Sequence, residues 1–138
     1  DLDITNNRLA DAQQRAERMQ GLYPGNYPLK QVRADLLVKQ SKPAEAEKIL
    51  NELIKSRPDD PDVWYDMAEV RGLSGNTIGL HRARAEFFTL VGDFDQAIQQ
   101  LDYAKRRAGG NFPLASQIDQ RQREIMEQQR MVRDMMGR

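Results

Sequence analysis

The sequence predicts an all-α fold, an α-solenoid of antiparallel helix pairs followed by a long C-terminal helix. Three observations predict it. Charged residues make up 30% of the 138, hydrophobic residues 39% and aromatic residues only 7%. A β-sandwich would be richer in β-branched and aromatic side chains. No stretch reads convincingly as a strand. The chain also repeats itself: Pro24 and Pro58 stand 34 positions apart, as do Ala12 and Ala46. Around them "NNRLADAQQRAERMQGLYPGN" aligns with "SKPAEAEKILNELIKSRPDD" without a gap through most of its length.

A 34-residue period made of two helices is the signature of the tetratricopeptide repeat. The pattern places helices at about 5–20, 29–40, 43–56, 61–73, 77–91, 94–108 and 112–136. Ser41 and Pro43 are expected to open the third, with Ala46, Ile49, Leu50 and Leu53 as its apolar stripe. Asp60 before Pro61 is an N-cap and first-turn pair, and Asp62 adds favourable charge at that helix N-terminus. Gly75 and Asn76 end one helix and start the next. Asp93 with Gln96 three residues on resembles a capping box after Gly92. Gly109-Gly110 stops the helix that carries Ala97, Leu101 and Ala104. The domain reading is repeats over 1–110 and a capping helix over 111–138. The repeats divide into a partial first repeat (1–26), then 27–60, 61–92 and a half-shifted 78–110.

Within "RPDDPDVWYDMAEVRGLSGN", Trp64, Met67 and Ala68 fall where the first helix of such a repeat carries a large, a Leu-like and a small residue. Trp64 is therefore expected to be a packing residue. Tyr65, Glu69 and Gly72 follow i, i+4, i+7, define the remaining face and would point at the concave side. The rhythm then breaks, because Gly75 and Gly92 are only 17 residues apart, half a period. The helix between them must serve two registers. Leu80 and Phe87 would pack as a second helix behind Trp64, whereas His81, Ala85 and Phe88 would pack as a first helix of the next repeat. A helix sandwiched between two neighbours satisfies both; a cleft opening at the half-step is the functional alternative.

Composition excludes several chemistries. With no cysteine there is no disulfide, thiolate metal site or Cys nucleophile. His81 is the only histidine, so a zinc site would need converging carboxylates, and a packed, hydrogen-bonded role is expected instead. There is no H-E-x-x-H, G-x-S-x-G or P-loop pattern. No catalytic residue, metal ligand or cofactor is expected in these 138 residues. Asp59, Asp60 and Asp62 are read as capping and turn chemistry. The 21 basic and 21 acidic residues balance, which argues against nucleic-acid binding. The balance is uneven along the chain: residues 105–138 hold eight basic and four acidic side chains, a net +4, leaving −4 for the rest. No apolar run approaches the ~18 residues of a membrane span. The chain begins at Asp1, not Met, and reads as a piece of something larger.

The last helix, "FPLASQIDQRQREIMEQQRMVRDMM", carries apolar residues at Leu114, Ile118, Ile125, Val132 and Met136, heptad-like from 118 to 132. It reads as a cap, apolar inside and polar outside. Its methionines would equally suit docking on a partner.

The run "RPDDPDVWYDMAEVRGLSGNTIGLHRARAEFFTLVGDFDQAIQQLDYAKRRAG", followed by "MVRDMM", resembles the C-terminal repeat region of the periplasmic β-barrel assembly-enhancing protease family, most closely from 57 to 110. The resemblance implies a parent zinc metallopeptidase in a Gram-negative periplasm. It implies partners among the outer-membrane barrel assembly machinery, its clients or the parent's own peptidase domain. The zinc would sit in that peptidase domain; its motif is absent here, so no ligand or catalytic residue carries over.

A protein-interaction module is thus the expected function, targeting or regulating an attached peptidase. The candidate partner-binding residues on a concave face are Gln31, Asp35 and Val38, then Tyr65, Glu69 and Leu73, with Arg82 and Glu86 if the half-shifted register faces inward. A co-chaperone groove for acidic C-termini would need Lys, Arg and Asn, where this chain has Gln31, Asp35, Asp62 and Asp66. The other alternative is a scaffold that self-associates through the last helix; a monomer is the expectation.

Overall fold

A computed structural model describes residues 2–137, with side chains from Ile4 onward. Seven helices follow one another: α1 (Leu2–Leu22), α2 (Tyr27–Lys39), α3 (Pro43–Ser56), α4 (Pro61–Leu73), α5 (Thr77–Leu90), α6 (Phe94–Ala108) and α7 (Phe112–Met136). Among the described residues there is no strand, and the fold class is the all-α tetratricopeptide type. The chain forms two compact units, one up to Asp59 and one from Asp60 onward.

Bounds for α3, α4, α6 and α7 coincide with the expected ones, because proline or a capping side chain marks each start. Asp60, Asp93 and Asn111 accept from backbone N–H groups of Asp62, Gln96 and Leu114 at 3.0, 3.3 and 3.2 Å. α2 begins two residues before the expected 29. Asn26 is its cap, accepting from Leu29 N at 2.9 Å, and Pro28 fits the first turn, where its missing N–H is no loss. α1 runs past the expected 20: Tyr23 N still bonds Met19 O at 2.9 Å, and Gln20 Nε2 donates to Pro24 O at 3.0 Å.

One capping expectation is corrected. Ser41 does not open α3; it closes α2 in the left-handed region, at φ 60°. Lys42 N bonds Leu37 O at 2.8 Å and Ser41 N bonds Val38 O at 3.0 Å. This is a Schellman closure, and α3 starts from Lys42 with no side-chain cap. The same pair of bonds recurs at Gly75, where Asn76 N bonds Arg71 O at 2.9 Å, and at Gly92, where Asp93 N bonds Phe88 O at 2.9 Å. The three closures stand 34 and then 17 residues apart, so the half-step is a second use of the tight intra-repeat turn.

In the first unit α2 packs between α1 and α3. The expected α3 stripe, Ala46, Ile49, Leu50 and Leu53, is buried whole, opposite Ala34 and Leu37. Arg57 lies over the Tyr27 ring at 4.1 Å. In the second unit α5 packs on both α4 and α6, and α7 on α6. Val63, Met67 and Val70, at i, i+4, i+7, are the buried stripe of α4, joined by Ala68. Trp64 is one position off that stripe and is only half-buried, so the sequence expectation of a packing residue holds for Met67 and Ala68 better than for Trp64. A second core gathers Ala85, Ala97, Leu101, Ala104, Ala108, Ile118 and Ile125.

The expected stripe of α7 is buried through Ile118 and Ile125, then gives out: Val132 is 37% and Met136 83% exposed. Between the two isoleucines sits buried Gln122. It accepts from Lys105 Nζ at 2.7 Å and donates to Ile98 O at 3.1 Å and Asp102 Oδ1 at 2.8 Å. A buried amide with every bond made fixes register as well as adding stability.

Candidate functional site

The composition of α5 positions the clefts of the second unit. Its buried residues are Gly79, Ala83, Ala85 and Thr89, all small. Two neighbouring helices approach one helix only where side chains are short, so the large residues of α5 are pushed to its flanks. Two close approaches show this. A Cβ on Gly79 would meet Asn76 Nδ2 at 2.5 Å and Arg71 Cδ at 2.8 Å, and one on Gly72 would meet Leu80 Cδ1 at 2.8 Å. Both registers of α5 are occupied as expected. Phe87 meets Tyr65 of α4 edge-on at 5.7 Å between ring centres. Towards α6, Ala85 is buried in the second core, and Phe88 packs against that core while also lining the space beside α4. His81 Nδ1 donates to Oε1 of buried Gln100 at 2.8 Å, and its ring lies 5.3 Å from that of Tyr103.

The first cleft, of about 240 Å³, lies between α4 and α5 and is lined by Tyr65, Ala68, Glu69, Arg84, Phe87 and Phe88. It is an aromatic floor with one charge of each sign at the rim. Tyr65 is 60% exposed while its ring edge is braced by Phe87, and Phe87 in turn stacks edge-on with Phe88 at 5.4 Å. A pre-ordered, accessible aromatic loses little entropy on contact, which is what an interface anchor requires.

The second cleft, of about 470 Å³, opens among Trp64, Arg71, Asn76, Ile78, Gly79, Arg82, Glu86 and Leu114. Arg71 Nη1 donates to Gly79 O at 3.2 Å. Glu86 accepts from Arg121 of α7 through both oxygens, from Nε at 2.8 Å and Nη2 at 2.7 Å. That bidentate bond and the surrounding charge, with Glu124 adding a 3.0 Å contact, hold the Arg121 guanidinium above its already high ordinary pKa. Further along the α6–α7 seam, bonds from Lys105 and then Arg123 hold the Asp119 carboxyl below its usual range.

The eight residues singled out from the sequence are distributed over separate places. Gln31, Asp35 and Val38 lie along α2 in the first unit. Gln31 and Val38 are half-buried, and Asp35 is exposed and paired with Lys39 at 3.1 Å. Tyr65 and Glu69 share the aromatic cleft. Leu73, 59% exposed at the end of α4, lines neither cleft. Arg82 and Glu86 line the second cleft. The α5 residues that face Tyr65 and Glu69 are instead Arg84, Phe87 and Phe88. No local sequence pattern separates these residues from Arg82 and Glu86 on the same helix. Among the described residues no three His, Asp or Glu side chains converge as metal ligands, and no helix is long and apolar enough to cross a membrane.

Comparison with known proteins agrees with the helix pairing. The tetratricopeptide repeat family profile matches residues 4–70, just under half of the chain. Interferon-induced protein with tetratricopeptide repeats 3, from Mus musculus, is 32% identical over 107 residues, which is 78% of this chain. The chain spans only 22% of that relative's length. With the 34-residue period and the recurring helix closures, these matches support a tetratricopeptide-repeat domain.

Proposed function

We propose that this chain is a protein-interaction module whose second unit receives a partner in the cleft of Tyr65, Glu69, Arg84, Phe87 and Phe88. The single observation that carries the reading is Tyr65: 60% exposed, braced by Phe87, and rooted on a helix whose other side is fully packed. Such modules present fixed side chains to a partner segment, so ordering falls mainly on the partner. We further propose the setting implied by the resemblance of residues 57–110: a Gram-negative periplasm, with the module directing or regulating an attached zinc metallopeptidase at sites of outer-membrane barrel assembly. Gln31, Asp35 and Val38 would give the first unit a contact row of its own.

The test is Tyr65→Ala in the full-length parent, read by capture of barrel-assembly components and by thermal melting. Lost capture with unchanged melting supports the reading. A melting temperature that falls in step with capture would make Tyr65 a structural residue and end this assignment.

One observation favours a second role. Met131, Met135 and Met136 are 58%, 75% and 83% exposed at the end of α7, an apolar surface suited to self-association. A sedimentation coefficient independent of concentration would sink that role.

A further inference from the structure

Between Asp60 and Ala104 the sequence holds eight carboxylates but only three guanidiniums: Arg71, Arg82 and Arg84. In a segment so acidic, arginines placed at random along the helices would pair with the nearest carboxylates on open surface. All three instead line clefts: Arg84 the aromatic one, Arg71 and Arg82 the one beside Trp64. Arg82 is half-buried and makes no hydrogen bond or ion pair among the described residues. The carboxylate one turn on, Glu86, lines the same cleft but is engaged by Arg121 through both oxygens, at 2.8 and 2.7 Å, and not by Arg82. Arg71 is oriented by its 3.2 Å bond to Gly79 O. Trp64, Ile78 and Leu114 supply an apolar part of the remaining wall, and Asn76 a polar one.

We infer that the Trp64–Arg82 cleft binds a partner peptide segment carrying a carboxylate beside a bulky apolar side chain, the carboxylate on Arg82 and the apolar group against Trp64, Ile78 and Leu114. This rests on the reading of the chain as a protein-binding module and assigns that module a second, chemically different subsite. Volume and chemistry agree. About 470 Å³ lies within the usual range for a binding cleft, roughly 300–1,000 Å³. A guanidinium offers a carboxylate two parallel N–H donors. Over the whole second unit, residues 60–138, 12 carboxylates balance 11 Lys and Arg side chains, so a carboxylate reaching Arg82 meets a local cation and no general positive field. Arg121 acts at one remove, by engaging the neighbouring carboxylate, Glu86, through both oxygens.

Trp64 is the chain's only tryptophan, so its emission reports on this cleft directly. The experiment titrates the chain with three probes. They are the blocked, amidated pentapeptide Gly-Leu-Glu-Leu-Gly, its Gln counterpart, and the Gln counterpart with a free C-terminus. A saturable emission change with the Glu peptide, absent with amidated Gln, identifies an internal acidic side chain. The same change with only the free-terminus peptide identifies a terminal carboxylate. In either case Arg82→Gln should weaken binding about tenfold, the worth of one charge-assisted contact, while Arg107→Gln, exposed on α6 and lining neither cleft, leaves it unchanged. Equal binding of Glu and amidated Gln peptides, binding indifferent to Arg82→Gln, or no response to any probe overturns the inference. Melting of Arg82→Gln establishes that the variant is folded. The two proposals fail separately: partner capture that survives Arg82→Gln leaves the Tyr65 cleft standing, and peptide binding that survives failure of the Tyr65→Ala test leaves this one standing.

Discussion

Helices α3 and α5 occupy equivalent places, each the second helix of a pair closed by the same tight turn, yet they are built in opposite ways. α3 buries Ile49, Leu50 and Leu53 with one alanine, a one-sided stripe of large side chains. α5 buries Gly79, Ala83, Ala85 and Thr89, and its large residues stand half-exposed at the flanks. The difference arises from the half-step at Gly92, which brings α6 against α5 as closely as α4 already is. A helix approached from two sides must be thin. Its displaced aromatics then line clefts instead of filling a core, so the interruption of the repeat creates the surface assigned to binding.

The comparison predicts opposite sensitivities. Truncation should harm α3 most: Leu53→Ala, at a side chain with no exposed surface, should cost about 2–5 kcal/mol in urea unfolding. Enlargement should harm α5: Ala85→Leu should cost about 1–3 kcal/mol, because the site has a wall on both sides. If Ala85→Leu were neutral, α5 would not be clamped between two helices.

Arg121→Ala comes next. It leaves Glu86 without its bidentate partner and loosens α7, at a cost of about 1–2 kcal/mol once the partial exposure of both side chains is allowed for. By the same geometry the freed Glu86 should turn to Arg82 and weaken the carboxylate probe in the Trp64 emission titration. Smaller still is Ser41→Gly, which relieves a non-glycine residue at φ 60° and should stabilise by about 0.5–1 kcal/mol, partly offset by the greater freedom of glycine in the unfolded chain. At the equivalent closure, Gly75→Ala should destabilise by a similar amount.

The smallest effect is in acid. Asp119 has a folded pKa below its ordinary value of 3.8, so its contribution is present above that value and is lost as pH falls through the lower folded one. The sign requires the α6–α7 seam to weaken only below about pH 4, and Asp119→Asn should flatten that slope in unfolding measured against pH.

Legibility in the sequence divides along the same line. The α3 stripe and the Ala97, Leu101, Ala104 row of α6 are visible in full, because a one-sided helix writes its burial as a period of 3.6. Ser41 misleads because a left-handed serine at a helix end looks, in sequence, like a cap at the next helix start. The two registers of α5 are legible from the 17-residue spacing, but the partition of its flanks is not. Arg84 and Arg82 are two positions apart and line different clefts, a distinction set by where α4 and α7 lie and by no local pattern. Gln122 escapes the sequence for a related reason: a buried amide is recognisable only when its partners on α6 are in place.

The proposed function turns on whether the Tyr65 cleft is the surface a partner meets. In the proposed setting, photo-crosslinking in a Gram-negative periplasm addresses it, with the probe at position 65 of the proposed peptidase parent. A control probe belongs at 103, where Tyr103 stacks on His81 and lines neither cleft. Adducts with a barrel-assembly component or an unfinished barrel are expected from 65 and not from 103. Adducts from 65 only to the proposed attached peptidase domain, or equal yields from both positions, would contradict the assignment.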